Sequence, residues 1–238
     1  MLELYNAPVS TCSQRVRMAL AEKNLEWTDR RVSLRDGEQL KPAYLAINPN
    51  GLVPTLVHDG KVIGDSSVIL EYLEDVFPAH PLRPADPFAL ARMRMWRQYI
   101  DEVPTPATRV PSFHASFGNA LRRMTPEVRN AAAAQRPLRK HMLLKIGPDG
   151  FSPRDLGEAM EQIEQSIERM EVSLQGNAWL CGDMFTIADI SMLPTLVRME
   201  DLGLTHLWES RPRVTDWYAR ARARPSFAAA YTKESRTF

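Results

Sequence analysis

Residues 48–74 read NPNGLVPTLVHDGKVIGDSSVILEYLE. Asn48-Pro49-Asn50-Gly51 is dense turn chemistry, because proline fixes φ while Asn and Gly tolerate positive φ. Val53 to Val57 follows as an apolar run interrupted by Pro54, which removes a ladder donor and belongs on an edge or in a special conformation. Asp59-Gly60 lies between Leu56-Val57 and Val62-Ile63, a strong short-range hairpin signal. Asp65-Ser66-Ser67 then precedes Val68, Ile69, Tyr72, Leu73 and Val76, the apolar spacing of a capped amphipathic helix. Two short strands, a tight bend and a helix start therefore share one segment. The helix start offers free N–H groups and a positive dipole end; on residue types alone a plain cap is the simpler reading than an anion site.

Upstream, Met1 to Tyr5 reads as a strand and Asn6-Ala7-Pro8 as a turn. Val9 to Ser13 leads into a helix with Val16, Ala19 and Leu20 on one face, ended by Asn24. Trp27 to Leu34 is strand-like, Asp36-Gly37 closes it, and Gln39 to Ala46 suits a short helix. The first 77 residues thus read β-α-β-α-β-β-α. Residues 78–87 hold Pro78, Pro81, Pro84 and Pro87 and form a linker. From residue 88 the pattern is helical. Phe88 to Val103 puts Arg92, Trp96, Tyr99 and Val103 on one face, and Leu156, Met160, Ile163, Ile167, Met170 and Leu174 repeat at three- and four-residue steps. Between them, residues 104–153 are divided by prolines and include an Ala131–Ala134 run suited to a helix. Thr186-Ile187-Ala188-Asp189 is a capping-box variant flanked by Phe185 and Ile190 as a hydrophobic staple, which makes Asp189 structural rather than catalytic. Pro194 predicts a kink, and Pro212 and Pro225 each suit the first turn of a helix.

The composition is that of a globular chain of one to two domains, with 238 residues, 44% hydrophobic, 25% charged and a net charge of +1. That balance gives no case for nucleic acid as a partner. The arginines from Arg211 to Arg224 read as a solvated helix face. No 18-residue apolar run or signal peptide is present, so the expectation is no membrane and a cytoplasmic protein. Cys12 and Cys181 make neither a metal spacing nor a disulfide framework.

Several of these pieces, in this order and spacing, resemble the cytosolic glutathione transferases over essentially the whole chain: Ser10-Thr11-Cys12-Ser13 with Arg15-Val16-Arg17, Asn48-Pro49 with Val53-Pro54-Thr55-Leu56, Asp65 to Ile69, Glu71-Tyr72-Leu73, and the Thr186–Asp189 box. Leu82 to Phe88 with Met95-Trp96 is similar to the bacterial β-aryl-ether-cleaving members, whereas the STCSxRVR stretch resembles the zeta class. The resemblance implies a thioredoxin-like α/β domain (1–77), a linker (78–87) and an all-helical domain (88–238), usually in a homodimer. It implies glutathione as co-substrate, no metal, and a hydrophobic, aromatic electrophile. It also implies a cis Val53–Pro54 bond, with the Val53 backbone pairing with the cysteinyl moiety as an added strand. Asp65 and Ser66 would then clamp the γ-glutamyl end, and Gln39 and Lys41 would reach the glycine end. The electrophile would sit between the domains, against the first long helix and residues 104–117, near Phe113, His114 and Phe117.

A thiol of pKa about 8.5 is roughly 3% ionised at pH 7, and lowering that pKa by two units costs about 2.7 kcal/mol of differential stabilisation. One or two donors in a dry site suffice. The resemblance ranks Ser10 first as donor, Ser13 second and Cys12 third. On residue types alone Ser13 suits a helix cap and Cys12 a small buried apolar group. The activity expected is nucleophilic attack of glutathione thiolate on an electrophilic carbon, with β-aryl ether cleavage as one form. The alternatives are thiol–disulfide or deglutathionylation chemistry through Cys12, and a glutathione-binding module without catalysis.

Overall fold

A computed structural model describes residues 1–122 and 124–236, with the side chains of residues 117–122 and 137 outside the description. Strand β1 (Leu2–Asn6) alternates buried and half-buried residues and sits inside a four-stranded sheet of order β2-β1-β3-β4. It pairs in parallel with β2 (Thr28–Arg31), setting Leu4 opposite Asp29, and antiparallel with β3 (Thr55–His58), setting Leu4 opposite Leu56. The strand-like stretch 27–34 shrinks to an edge strand whose charged Asp29, Arg30 and Arg31 guard an open edge. Strand β4 (Lys61–Gly64) closes the hairpin with β3. Asp59 and Gly60 both take positive φ, 49° and 78°, the geometry that matches strand twist in a two-residue hairpin.

Helix α1 (Thr11–Glu22) ends as expected at Asn24, φ 50°. Its apolar Val16, Ala19 and Leu20 are buried, but so are Gln14, Arg15 and Arg17, because both faces are covered. Residues 38–45 are not one helix. A 3-10 turn (Glu38–Leu40) and α2 (Pro42–Leu45) are separated by an extended Lys41, since a residue before proline avoids the helical region. Helix α3 (Ser66–Val76) starts at its Asp65 cap.

Residues 78–86 do not hang free. Lys23 and Glu74, both essentially unexposed, form a 2.7 Å ion pair. Lys23 also donates to the carbonyls of Ala79 and His80, and Glu74 accepts from the Leu82 N–H. Beyond lie α4 (Pro87–Glu102), α5 (Pro104–Arg122), α6 (Pro126–Ala134), α7 (Lys140–Leu144), α8 (Pro153–Ser173), α9 (Ile187–Asp201), α10 (His206–Glu209), α11 (Pro212–Arg222) and α12 (Pro225–Ala230). The buried face of α4 is Met93, Trp96, Arg97 and Ile100, not the stripe through Arg92. Arg92 is exposed, while Arg97 tolerates burial because it reaches Glu71 and the Ser67 carbonyl. On α8 the spacing read from sequence holds, with Ile163, Ile167 and Met170 fully buried. Pro212 and Pro225 open α11 and α12, and Pro194 lies inside α9. The late arginines are ion-paired: Arg211 with Glu168, Arg213 with Glu171, Arg220 with Asp216, Arg222 with Glu200, and Arg224 with Glu22.

The capping box forms. Thr186 Oγ1 accepts from Ala188 N–H at 3.2 Å, and Asp189 accepts from Thr186 N–H at 3.0 Å. The same buried carboxylate also takes the Leu180 N–H at 3.0 Å and the Trp217 indole N–H at 2.8 Å. Burial pushes the Asp189 carboxyl above the usual range, and these donors oppose that shift. Asp189→Ala strands several buried donors and should cost about 3 kcal/mol or more in urea unfolding. A loss below about 1 kcal/mol would show that the helical domain does not depend on this junction.

Candidate active site

The loop before β3 is fixed from behind. Asn48 donates to the Leu52 carbonyl at 3.0 Å and to Thr55 Oγ1 at 2.8 Å, and the Tyr44 hydroxyl donates to the same carbonyl at 2.6 Å. Gly51 lies at φ 59°, and a Cβ there would come within 3.0 Å of Leu40 and 3.1 Å of the Gln39 carbonyl. Glycine therefore satisfies both backbone sign and close approach. The loop delivers Val53 through a cis Val53–Pro54 bond, as the resemblance implied. Next to it, Asp65 holds φ 67° and accepts the Ser67 N–H at 2.8 Å and the Val68 N–H at 3.4 Å. A short polar side chain tolerates this left-handed backbone, and such outliers gather at binding sites.

These elements form one side of a cavity of about 200 Å³ with Val53, Pro54, Asp65, Ser66 and Cys12 in its wall. Asp101, Thr105, Arg109, Leu138 and Arg139 supply the opposite side from the helical region. Arg15, buried between them, donates to Asp101 at 2.8 Å and to the Thr105 hydroxyl, while the Ser67 hydroxyl donates to the other oxygen of Asp101. A second cavity of about 290 Å³ lies among Leu174, Asn177, Pro212 and Arg213, away from the cis-proline loop. Its Arg213 and Arg220 are already ion-paired, so it offers no reacting group.

The expected donors separate at the start of α1. Ser10 is the cap, its Oγ accepting the Ser13 N–H at 3.2 Å. Ser13 is fully buried, and its Oγ accepts the Ala7 N–H at 3.4 Å. Neither is among the cavity-lining residues, whereas Cys12 is. The first intrahelical bond runs from Gln14 N–H to Ser10 carbonyl, which leaves the N–H groups of Thr11 and Cys12 ahead of it at the positive end of the helix. Gln39 is buried with an unpartnered Oε1 beside the loop, and Lys41 is exposed, 3.8 Å from Glu38. Neither lines the cavity. Phe113 and His114 are half-buried on α5 and also lie off its wall, with the His114 Nδ1 buried and unpartnered. The Phe117 side chain lies outside the described residues. Sequence reasoning missed Arg15, Asp101, Thr105, Arg109, Leu138 and Arg139. Asp101 at the end of α4 and Thr105 and Arg109 on α5 recur every four residues, a polar spacing that could have been read as a wall.

Among the described residues no group of His, Cys, Asp and Glu suits a metal ion, and no helix is long and apolar enough to cross a membrane. Residues 9–76 match the family model for the glutathione S-transferase N-terminal domain, and residues 127–220 match that for the C-terminal domain. Protein LigF of Sphingobium sp. is 30% identical, the alignment covering 99% of this chain and 95% of LigF. A maleylacetoacetate isomerase of Pseudomonas aeruginosa is 32% identical over 97% of this chain and 95% of its own length. A crystal structure of the β-etherase LigF superposes with a TM-score of 0.87, covering 98% of this chain and 99% of LigF. The chain belongs to the glutathione S-transferase family. Glutathione is its co-substrate and it is a glutathione transferase.

The Arg15–Asp101–Ser67 junction should set the spacing of the cavity walls. Asp101→Ala is expected to raise the glutathione KM by about tenfold, the equivalent of about 1.4 kcal/mol. Unchanged glutathione affinity by calorimetry would show that the walls are held elsewhere.

Proposed function

We propose that glutathione lies along the Val53 backbone with its sulfur at the start of α1 and its γ-glutamyl end on Asp65 and Ser66. The observation that carries this reading is that Val53, Ser66 and Cys12 share one cavity at two helix N-termini. The exposed edge of Val53 offers N–H and C=O to an extended peptide, as added-strand recognition requires. Ser66 is buried at the first turn of α3, where a carboxylate meets free N–H groups. Gln39 and Lys41 serve the glycine end. At the sulfur, the Cys12 thiol and the Thr11 and Cys12 N–H groups favour the thiolate, with the helix dipole adding to them. Ser10 and Ser13 act one step back, by fixing the helix start.

The thiolate then attacks an electrophilic carbon. A C–S bond forms, the bond to the leaving group breaks with its electron pair, and the thiol proton passes to solvent. By likeness to the β-etherase LigF, the leaving group is a phenolate released from a β-aryl ether. A second reading is favoured by the position of Cys12 on the wall. Its thiolate attacks the sulfur of a glutathione mixed disulfide and releases the other thiol, leaving a Cys12–glutathione disulfide. The cytoplasm, where thiols stay reduced, suits either reaction. Val68, Val76, Phe88 and Met95 leave an exposed apolar face on α3 and α4, which we assign to a homodimer.

Cys12→Ala should lower kcat/KM for glutathione conjugation by about tenfold to a hundredfold and raise the apparent pKa of the bound thiol, read by thiolate absorbance. Ser10→Ala should cost about 1 kcal/mol of stability, as loss of a helix cap does. If Ser10→Ala abolishes conjugation and Cys12→Ala leaves it intact, the donor is Ser10. A Cys12–glutathione adduct by mass spectrometry would favour the disulfide reading. Sedimentation should give twice the chain mass of 27.0 kDa, and Phe88→Glu should return it to one chain.

A further inference from the structure

The helical side of the cavity is unlike a hydrophobic slot. Among the described residues Leu138 is its one apolar lining side chain. Asp101 and Thr105 are engaged by Arg15 and Ser67, which leaves the guanidiniums of Arg109 and Arg139 facing the space. Neither is ion-paired to a carboxylate among the described residues. Burial pushes Arg109 down to about 10, aided by the like charge of Arg139 and opposed by the Cys12 thiol. Arg139 is also pushed down by burial, with Cys12 and then Asp65 opposing. Both stay cationic at neutral pH. The two carboxylates of the wall have partners already, Asp65 capping α3 and Asp101 bonded to Arg15 and Ser67, so these two half-buried cations side by side favour a further anion between them.

We propose that Arg109 and Arg139 form an anion subsite on the electrophile side of the cavity, and that the second substrate is an electrophile bearing a carboxylate. This rests on the transferase reading above. The two carboxylate ends of glutathione are assigned to Ser66 and to Gln39 with Lys41, all on the thioredoxin-like side. Arg109 instead interacts with Cys12, where sulfur and reacting carbon meet. A planar guanidinium binds a carboxylate through two parallel N–H bonds and presents its face to an aromatic ring, so one pair can hold an aromatic acid.

The test uses the full chain with a matched pair of electrophiles, a para-chloro-dinitrobenzoate and the corresponding benzamide. In both, a C–S bond replaces the C–Cl bond and chloride leaves with the electron pair. The wild type should favour the benzoate by about tenfold or more in kcat/KM, and Arg109→Gln and Arg139→Gln should each bring the ratio within about threefold, chiefly through the electrophile KM. Equal turnover by the wild type overturns the subsite. So do variants that raise only the glutathione KM, because the arginines would then serve glutathione. Turnover of neither compound refutes the transferase reading and the subsite together, whereas turnover of the amide alone refutes only the subsite. Should the glutamine variants fail to fold, benzoate inhibition of the wild-type amide reaction decides: competition with the electrophile supports the subsite, and its absence overturns it.

Discussion

Arg15 leaves α1 between the two halves of the molecule and reaches Asp101 on α4 at 2.8 Å and Thr105 on α5. A guanidinium that is 2% exposed must be satisfied, because an unpaired buried charge costs several kcal/mol, of the order of 3–5. Satisfying it fixes the start of α1 against both helices. Ser67 on α3 bonds to the same carboxylate, so three elements that wall the cavity meet at one acidic side chain. The spacing of the two cavity walls is therefore held by a polar contact as well as by the apolar core that runs through both halves.

The backbone leading to the thiol is held in the same manner. Arg17 donates to Asn6, to the carbonyls of Ala7 and Pro8, and to the Ala230 carbonyl near the end of the chain. Arg198 on α9 donates to the Val9 carbonyl at 2.6 Å. Residues 7–9 lie past the end of β1; Arg17 and Gln14 on α1 bond the carbonyls of Ala7 and Pro8, and the helical region supplies the partner of Val9. This loop is thus held by its own domain's α1 and by one bond across the domains, and a loop that misplaced a reacting group by an ångström would weaken a reaction.

Much of this was legible in the sequence, for identifiable reasons. The hairpin at Asp59-Gly60, the capped start at Asp65, the Thr186–Asp189 box and the α8 stripe are local patterns, and local chemistry decides them. The helices between 104 and 144 were not legible, because their prolines sit at first turns (Pro104, Pro126) and inside α5 (Pro111), and so divide the pattern without ending the helical region. The wall was hidden for another reason. Arg15, Arg97, Arg109 and Asp101 look like solvent-facing positions by residue type, and only the docking of two domains covers them. Ser10, which the resemblance ranked first as donor, also caps α1, a local role.

The two walls differ in how tightly they are constrained. On the proposed reading the thioredoxin-like side recognises glutathione through backbone groups of Val53 and a helix start at Ser66, so side-chain changes there gain little. The helical side presents side chains at every fourth residue of a continuous stretch, Asp101, Thr105 and Arg109. Asp101 and Thr105 are tied to Arg15, so they cannot change without loosening the domain contact. Arg109 carries no such tie and lies one turn further along, next to Leu138 and Arg139 in the cavity wall. On the proposed reading the positions free to set which electrophile is accepted are therefore those beyond the Arg15 junction, the apolar Leu138 and the cationic Arg109 and Arg139.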